Sequence, residues 1–142
     1  MIERVVFDTS TLIGAALKVG SKPHRALLLA LEFCVLCASE ELIVELAEVL
    51  SRSYFDRRLT QAERDKFLEV IRNNVEICPV SEAFAAALDP PCRDADDNFI
   101  LALALACQAD AIVSSDQDLL VLSPWNGIPI LTPAQFLVRA EI

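Results

Sequence analysis

Nine consecutive residues, Phe99 to Cys107, are all apolar. With the preceding Asp97-Asn98 the run reads as a helix over Asp97–Cys107, apolar on nearly every side past its first turn. Such a helix has to be covered all round. It falls well short of the ~20 residues that cross a bilayer, so its cover must be protein. At 142 residues, 54% of them hydrophobic, the chain can build one sizeable core. Residues 1–142 are therefore expected to form a single domain. The apolar content excludes disorder as the main state, and 3 Gly and 7 Pro exclude collagen-like and low-complexity classes. No cationic segment leads into an apolar one at the start, because Glu3 and Arg4 interrupt the first apolar stretch. With no membrane-spanning run, a cytoplasmic protein is expected.

Around the apolar helix, short β-branched runs alternate with helical patterns. Ile2–Phe7, Phe33–Ala38, Val75–Cys78, Ala111–Ser114 and Ile128–Leu131 read as strands. Thr9–Leu17, Pro23–Leu31 and Ser81–Leu88 read as helices. Ser39 is placed to cap a helix over Glu40–Leu50, with Glu40 and Glu41 favourable to its dipole. Thr60-Gln61-Ala62-Glu63 is a capping box that opens a helix to about Asn73. Thr132-Pro133-Ala134-Gln135 caps the last helix with Pro at its first position. Pro90-Pro91 forces a loop. This alternation predicts an α/β fold with a mainly parallel sheet.

The five cysteines, Cys34, Cys37, Cys78, Cys92 and Cys107, sit mostly in apolar runs and read as buried free thiols. Cys34 and Cys37 have metal-site spacing, but a strand points them to opposite faces and no second pair exists, which argues against zinc. His24 is the only histidine, which argues against a His-based zinc site as well.

The net charge is −9, against expectation for a nucleic-acid binder. Its distribution is uneven. Seven acids lie from Asp89 to Asp118, opposed only by Arg93. Lys18, Lys22, His24 and Arg25 have no acid among them, and Arg52, Arg57, Arg58, Arg64, Lys66 and Arg72 outnumber the acids of their segment. An acidic centre with basic flanks suits a site that holds cations and receives a polyanion. A solvated surface of uneven charge has the same composition.

Two strands end alike. Val5-Val6-Phe7 runs into Asp8-Thr9-Ser10, and Ile112-Val113 into Ser114-Ser115-Asp116. Open α/β sheets bind ligands at the carboxyl ends of their strands, where Asp8 and Asp116 would project. Asp97 opens the buried helix; a helix-terminal acid is ordinary, but Asp94-Ala95-Asp96-Asp97 holds more acids than one helix start requires. Glu45 borders the apolar stripe of its helix beside Leu42 and Val49, able to reach a cleft or to stay solvated. Two carboxylates ~4 Å apart repel by roughly 4 kcal/mol at an effective dielectric near 20. Four gathered together need a cation or raised pKa values. Mg²⁺ or Mn²⁺ suits carboxylate oxygens, water and phosphate, and can activate water for phosphodiester hydrolysis.

These segments, with Ser39-Glu40-Glu41-Leu42-Ile43-Val44-Glu45-Leu46, Asp94 through Ala104, Ser114 through Leu120 and the ending Ile130 through Leu137, resemble the PIN domain. They are most similar to its VapC-like branch, the toxins of prokaryotic type II toxin–antitoxin systems. The likeness runs from about Val5 to Leu137. It implies a five-stranded parallel sheet with helices on both faces, and an acidic pocket for Mg²⁺ or Mn²⁺ made by Asp8, Glu45, Asp97 and Asp116. It implies Asp94 and Asp118 as outer ligands, Ser10 and Ser114 as supporting hydroxyls, and single-stranded RNA as substrate. Homodimers and a cognate antitoxin that inserts a peptide into the site are implied too. Lys22, Arg25, Arg57 and Arg58 are the candidate RNA-binding cations, although a charge of −9 makes for weak, salt-sensitive RNA affinity.

Two rival readings exist. A non-catalytic PIN-like module would use the acidic pocket to capture a basic peptide. A phosphatase with Asp8 as aspartyl nucleophile would need a second Asp two residues on, where this chain has Ser10.

Overall fold

The computed structural model describes residues 2–81, 88, 90–91 and 97–140. The proposed helix Ser81–Leu88 lies almost wholly outside them, as does Asp94.

The elements follow the alternation in the sequence. β1 (Arg4–Phe7) leads into α1 (Thr9–Leu17) and α2 (Lys22–Phe33), then β2 (Val35–Ala38) and α3 (Glu40–Leu50). After a short 3₁₀ turn at Ser53–Phe55 come α4 (Gln61–Asn74) and β3 (Val75–Ile77). α5 (Asn98–Ala106), β4 (Ala111–Val113), α6 (Gln117–Leu120), β5 (Ile130–Leu131) and α7 (Pro133–Ala140) complete the fold.

The helix starts are those read from side-chain chemistry. Ser39 Oγ accepts from Leu42 N at 3.1 Å. Thr60 and Glu63 form the capping box in both directions. Thr132 and Gln135 do the same at the head of α7, at 2.9 and 3.1 Å. α2 starts one residue earlier than expected, because Ser21 caps it and Pro23 is tolerated within the first turn. The apolar helix is shorter by one residue at each end, with Asp97 and Cys107 as its flanking caps. The one-turn α6 is an addition to the expected elements: Asp116 Oδ1 caps it by accepting from Asp118 N at 2.9 Å.

All five strands are parallel, in the order β3-β2-β1-β4-β5. Val6 stands opposite Cys37 on one side and Ile112 on the other. The chain builds outward from β1 first toward β2 and β3, then crosses to β4 and β5. β1 and β4 therefore flank the point where strand order reverses, and their carboxyl ends open a crevice there.

Helices cover both faces. Side chains alternate along β1, so Arg4 and Phe7 point to opposite faces. On one face Arg4 Nε donates to the carbonyl of Cys107, at the end of α5, at 2.7 Å. On the other Phe7 meets Phe136 of α7 edge to face, with ring centroids 5.8 Å apart. Val5, Val6, Phe7 and all of β4 are fully buried, as are Ile100, Leu101, Ala102, Leu103 and Ala104 of α5. Full burial of each large apolar side chain contributes about 1.5–3 kcal/mol.

Trp125, also buried, pairs with Ile128 across a tight turn in which Asn126 and Gly127 both have positive φ. Its indole Nε1 donates to the carbonyl of Pro90 at 2.6 Å. Among the described residues no helix is long and apolar enough to cross a membrane.

Candidate active site

Asp8 is the first residue past β1 and the N-cap of α1. It is 4% exposed, and three donors hold it. Thr11 N and Ser10 Oγ donate to Oδ1 at 2.9 and 3.2 Å, and Ser114 Oγ donates to Oδ2. Ser114, just past β4 and fully buried, in turn accepts from Asp116 N at 2.9 Å. One serine thus ties together the two strand-end acids, across the strand pair where the sheet reverses order.

Glu45 projects from the middle of α3 at the border of its buried stripe, with Leu42 and Leu46 in the core and Glu48 exposed. Its Oε2 accepts from Thr9 Oγ1 at 3.0 Å. Asp97 stands at the head of α5.

The four acids meet. Asp8, Glu45, Asp97 and Asp116 line one pocket of about 310 Å³ with Thr9, Ser10, Ile13, Val49 and Ile100. No Lys or Arg is among its described lining residues. Three of the four thus come from the ends of buried elements, and the fourth from the edge of an amphipathic stripe.

The donor set consists of hard oxygens: four carboxylates and the hydroxyls of Thr9 and Ser10. Among the described residues no three carboxylates bring oxygens within 4.8 Å of one another. This wider setting fits Mg²⁺ or Mn²⁺, which binds through one or two carboxylates and keeps room for water and phosphate. The apolar floor of Ile13, Val49 and Ile100 strengthens the field of the acids by limiting solvent.

The other expected residues are placed as follows. Asp118 gives its backbone N–H to Asp116, and its carboxylate is not among the groups that line the pocket. Asp110, counted with the acidic stretch, serves the fold instead: its Oδ2 accepts from Glu3 N and Arg4 N, both at 2.9 Å, at the start of β1. Lys22, Arg25, Arg57 and Arg58 are exposed and outside the pocket. Arg64, grouped in the sequence with the polyanion-receiving flank, is buried and pairs with Asp56 at 2.9 Å. Arg52 pairs with Glu48 at 3.0 Å and Lys66 with Glu69 at 3.8 Å, so the free positive charge of this flank is smaller than the sequence suggests.

Sequence reasoning singles out Ser10 and misses Thr9. A signal for it exists: a hydroxyl adjacent to the strand-end acid, at the first position of α1.

Comparison with known proteins bears on this geometry. The PIN domain family model matches residues 4–118, a span that includes all four acids. Among solved structures, the chain resembles VapBC2 from Rickettsia felis bound to a DNA fragment from their promoter, with TM-score 0.67 and 15% identity over 91% of this chain and 98% of that one. It resembles PAE2754 from Pyrobaculum aerophilum with TM-score 0.65 and 18% identity, over 99% and 90% of the two chains. It resembles FitAcB from Neisseria gonorrhoeae with TM-score 0.60 and 16% identity, over 92% and 98%. At these identities the likeness speaks for the fold alone. No curated protein matches the chain in sequence. A family match over most of the chain, joined to a reversed parallel sheet whose strand ends carry the acids, places this chain in the PIN domain family.

Proposed function

We propose that the chain is a divalent-metal-dependent endoribonuclease that hydrolyses phosphodiester bonds of single-stranded RNA, and that it is the toxin of a toxin–antitoxin pair. The observation that carries this reading is the meeting of Asp8, Glu45, Asp97 and Asp116 in one pocket with no described basic side chain on its wall. Family membership supports nuclease chemistry, and the VapBC2 and FitAcB neighbours support a toxin with an antitoxin partner.

In this reading Asp8, Glu45, Asp97 and Asp116 together would hold Mg²⁺ or Mn²⁺, one or two of them directly. Such an ion would supply Lewis acidity toward the phosphate and toward a water nucleophile. The chain's own residues do the rest. Asp8 is locked by three donors, so its oxygens present one fixed geometry at little entropic cost. Thr9 holds Glu45, and Ser114 and the Asp118 amide hold Asp116. Without a cation the pocket repels an RNA phosphate, so the acids themselves make cleavage metal-dependent. Lys22, Arg25, Arg57 and Arg58 steer the RNA backbone toward the crevice, and the protein works as a cytoplasmic homodimer.

The test is incubation with a panel of single-stranded RNAs, with Mn²⁺ or with chelator, beside Asp97→Asn prepared identically. Cleavage that needs metal and disappears in the variant is the expected result. Cleavage that persists in the variant refutes the assignment of Asp97. Tight capture of a basic peptide with no cleavage of any RNA, equal with and without metal, would replace the enzyme with the binding module.

A further inference from the structure

A second cluster lies at the far end of α5 from Asp97, and the nuclease reading does not use it. Cys37 of β2, Cys78 just past β3 and Cys107 at the end of α5 are all buried. Their Sγ atoms lie within 4.8 Å of one another. Spacing along the chain offers only the Cys34–Cys37 pair and argues against zinc. The sheet register supplies what spacing does not. Cys37 stands opposite Glu76, and Cys78 is two residues farther on the same face, so β2 and β3 present both sulfurs to the end of α5.

Inert core thiols are surrounded by apolar groups, and these are not. Arg4 pairs with Glu76 beside them. The Arg4 guanidinium is 4.0 Å from the Cys78 sulfur, and Glu76 Oε2 is also 4.0 Å from it. A cleft of about 440 Å³ lined by Arg4, Glu76, Cys78 and Cys107 gives a path from solvent.

We propose that Cys37, Cys78 and Cys107 bind a thiophilic divalent ion, zinc in kind, with the Glu76 carboxylate as fourth ligand and Arg4 as its charge partner. Tetrahedral Zn–S bonds of ~2.3 Å set sulfurs about 3.8 Å apart, so the three need to close by about an ångström or less. Sulfur disfavours the hard ions suited to the acidic pocket. Charge favours a divalent ion over a monovalent one: three thiolates and Glu76 are offset by Zn²⁺ and Arg4 to a residual of one negative charge. The three thiol protons leave to solvent as the ion enters. The ion would join β2, β3 and the end of α5, and would stabilise the fold by mass action. The site is independent of the nuclease reading.

The test titrates Co²⁺, the spectroscopic stand-in for Zn²⁺, into reduced full-length Cys34→Ser/Cys92→Ser protein, where the three are the only thiols left of five. Expected are a thiolate-to-cobalt charge-transfer band and intense tetrahedral visible bands, saturating at one equivalent and erased by Zn²⁺. Adding Cys78→Ser or Cys107→Ser should weaken Co²⁺ binding by about tenfold or more, while Asp8→Asn leaves the spectrum intact. A titration that yields only the faint spectrum of an oxygen-ligated ion overturns the proposal. So does a charge-transfer band unchanged in both serine variants. Far-ultraviolet circular dichroism checks folding, and if one serine variant fails to fold the other decides.

Discussion

Asp8 carries two duties that substitution can separate. As N-cap of α1 it satisfies the Thr11 amide; as a wall of the pocket it faces the other acids. Asn caps a helix about as well as Asp, whereas Ala does not. Asp8→Asn keeps the cap but turns an amide N–H₂ toward the Ser114 hydroxyl that donates to Oδ2, so it should lose RNA cleavage and cost less stability than Asp8→Ala. Asp8→Ala should lose cleavage and also about 1–2 kcal/mol of stability, read by denaturant titration. Equal stability losses in the two would mean that charge, rather than the cap, holds α1. At this scale the site is legible where chemistry and position coincide. Asp8 and Asp116 follow buried strands, and Glu45 stands at the border of a helical stripe. Thr9 is marked in the sequence only as a hydroxyl beside the strand-end acid; its bond to Glu45 depends on how α1 and α3 pack, which no local pattern records. The three thiols are illegible for the same reason: their meeting is set by the β2–β3 register.

The apolar helix that most constrains the sequence is fully buried from Ile100 to Ala104. Leu103 is fully buried within α5, so Leu103→Ala should cost about 2–5 kcal/mol, measured by urea unfolding. A cost below about 1 kcal/mol would mean that the helix has a collapsible side. Caps are legible because their signals are local, as at Ser39, Thr60 and Thr132. α6 is not, since four residues are too few to show a period. The Thr60 box also gives α4 a pH signature. The Thr60 backbone amide, then its hydroxyl, holds the Glu63 carboxyl below its ordinary value. A carboxyl lowered in the folded state stabilises above its unfolded pKa, and that contribution is lost as pH falls through the folded value. Glu63→Gln, which keeps the cap, should flatten the acid limb of stability against pH and leave the neutral region unchanged. An unaltered acid limb would show that the box contributes nothing through charge.

For the whole molecule, the charge of −9 sets the terms of any RNA encounter. Three of the flanking cations, Arg52, Arg64 and Lys66, are engaged in ion pairs, while Arg57 and Arg58 make none among the described residues. Reversing Arg57 and Arg58 to Glu should weaken RNA binding several-fold and flatten its dependence on salt. The log–log slope should fall by about 0.7 for each phosphate no longer neutralised. Metal affinity should not change; parallel weakening of both would indicate damage to the fold. The mainly parallel α/β character follows from alternation and the helices on both faces from the family resemblance, whereas the location of the reversal between β1 and β4 requires the topology. The indole of Trp125 has a further use. It is the single tryptophan, buried, and bonded to the carbonyl of Pro90, seven positions before Asp97. The protein therefore carries its own optical probe of the packing that anchors Pro90. Its emission should be blue-shifted in the native state, and should move to the red as unfolding exposes the indole. Unfolding of the core could then be followed without any label.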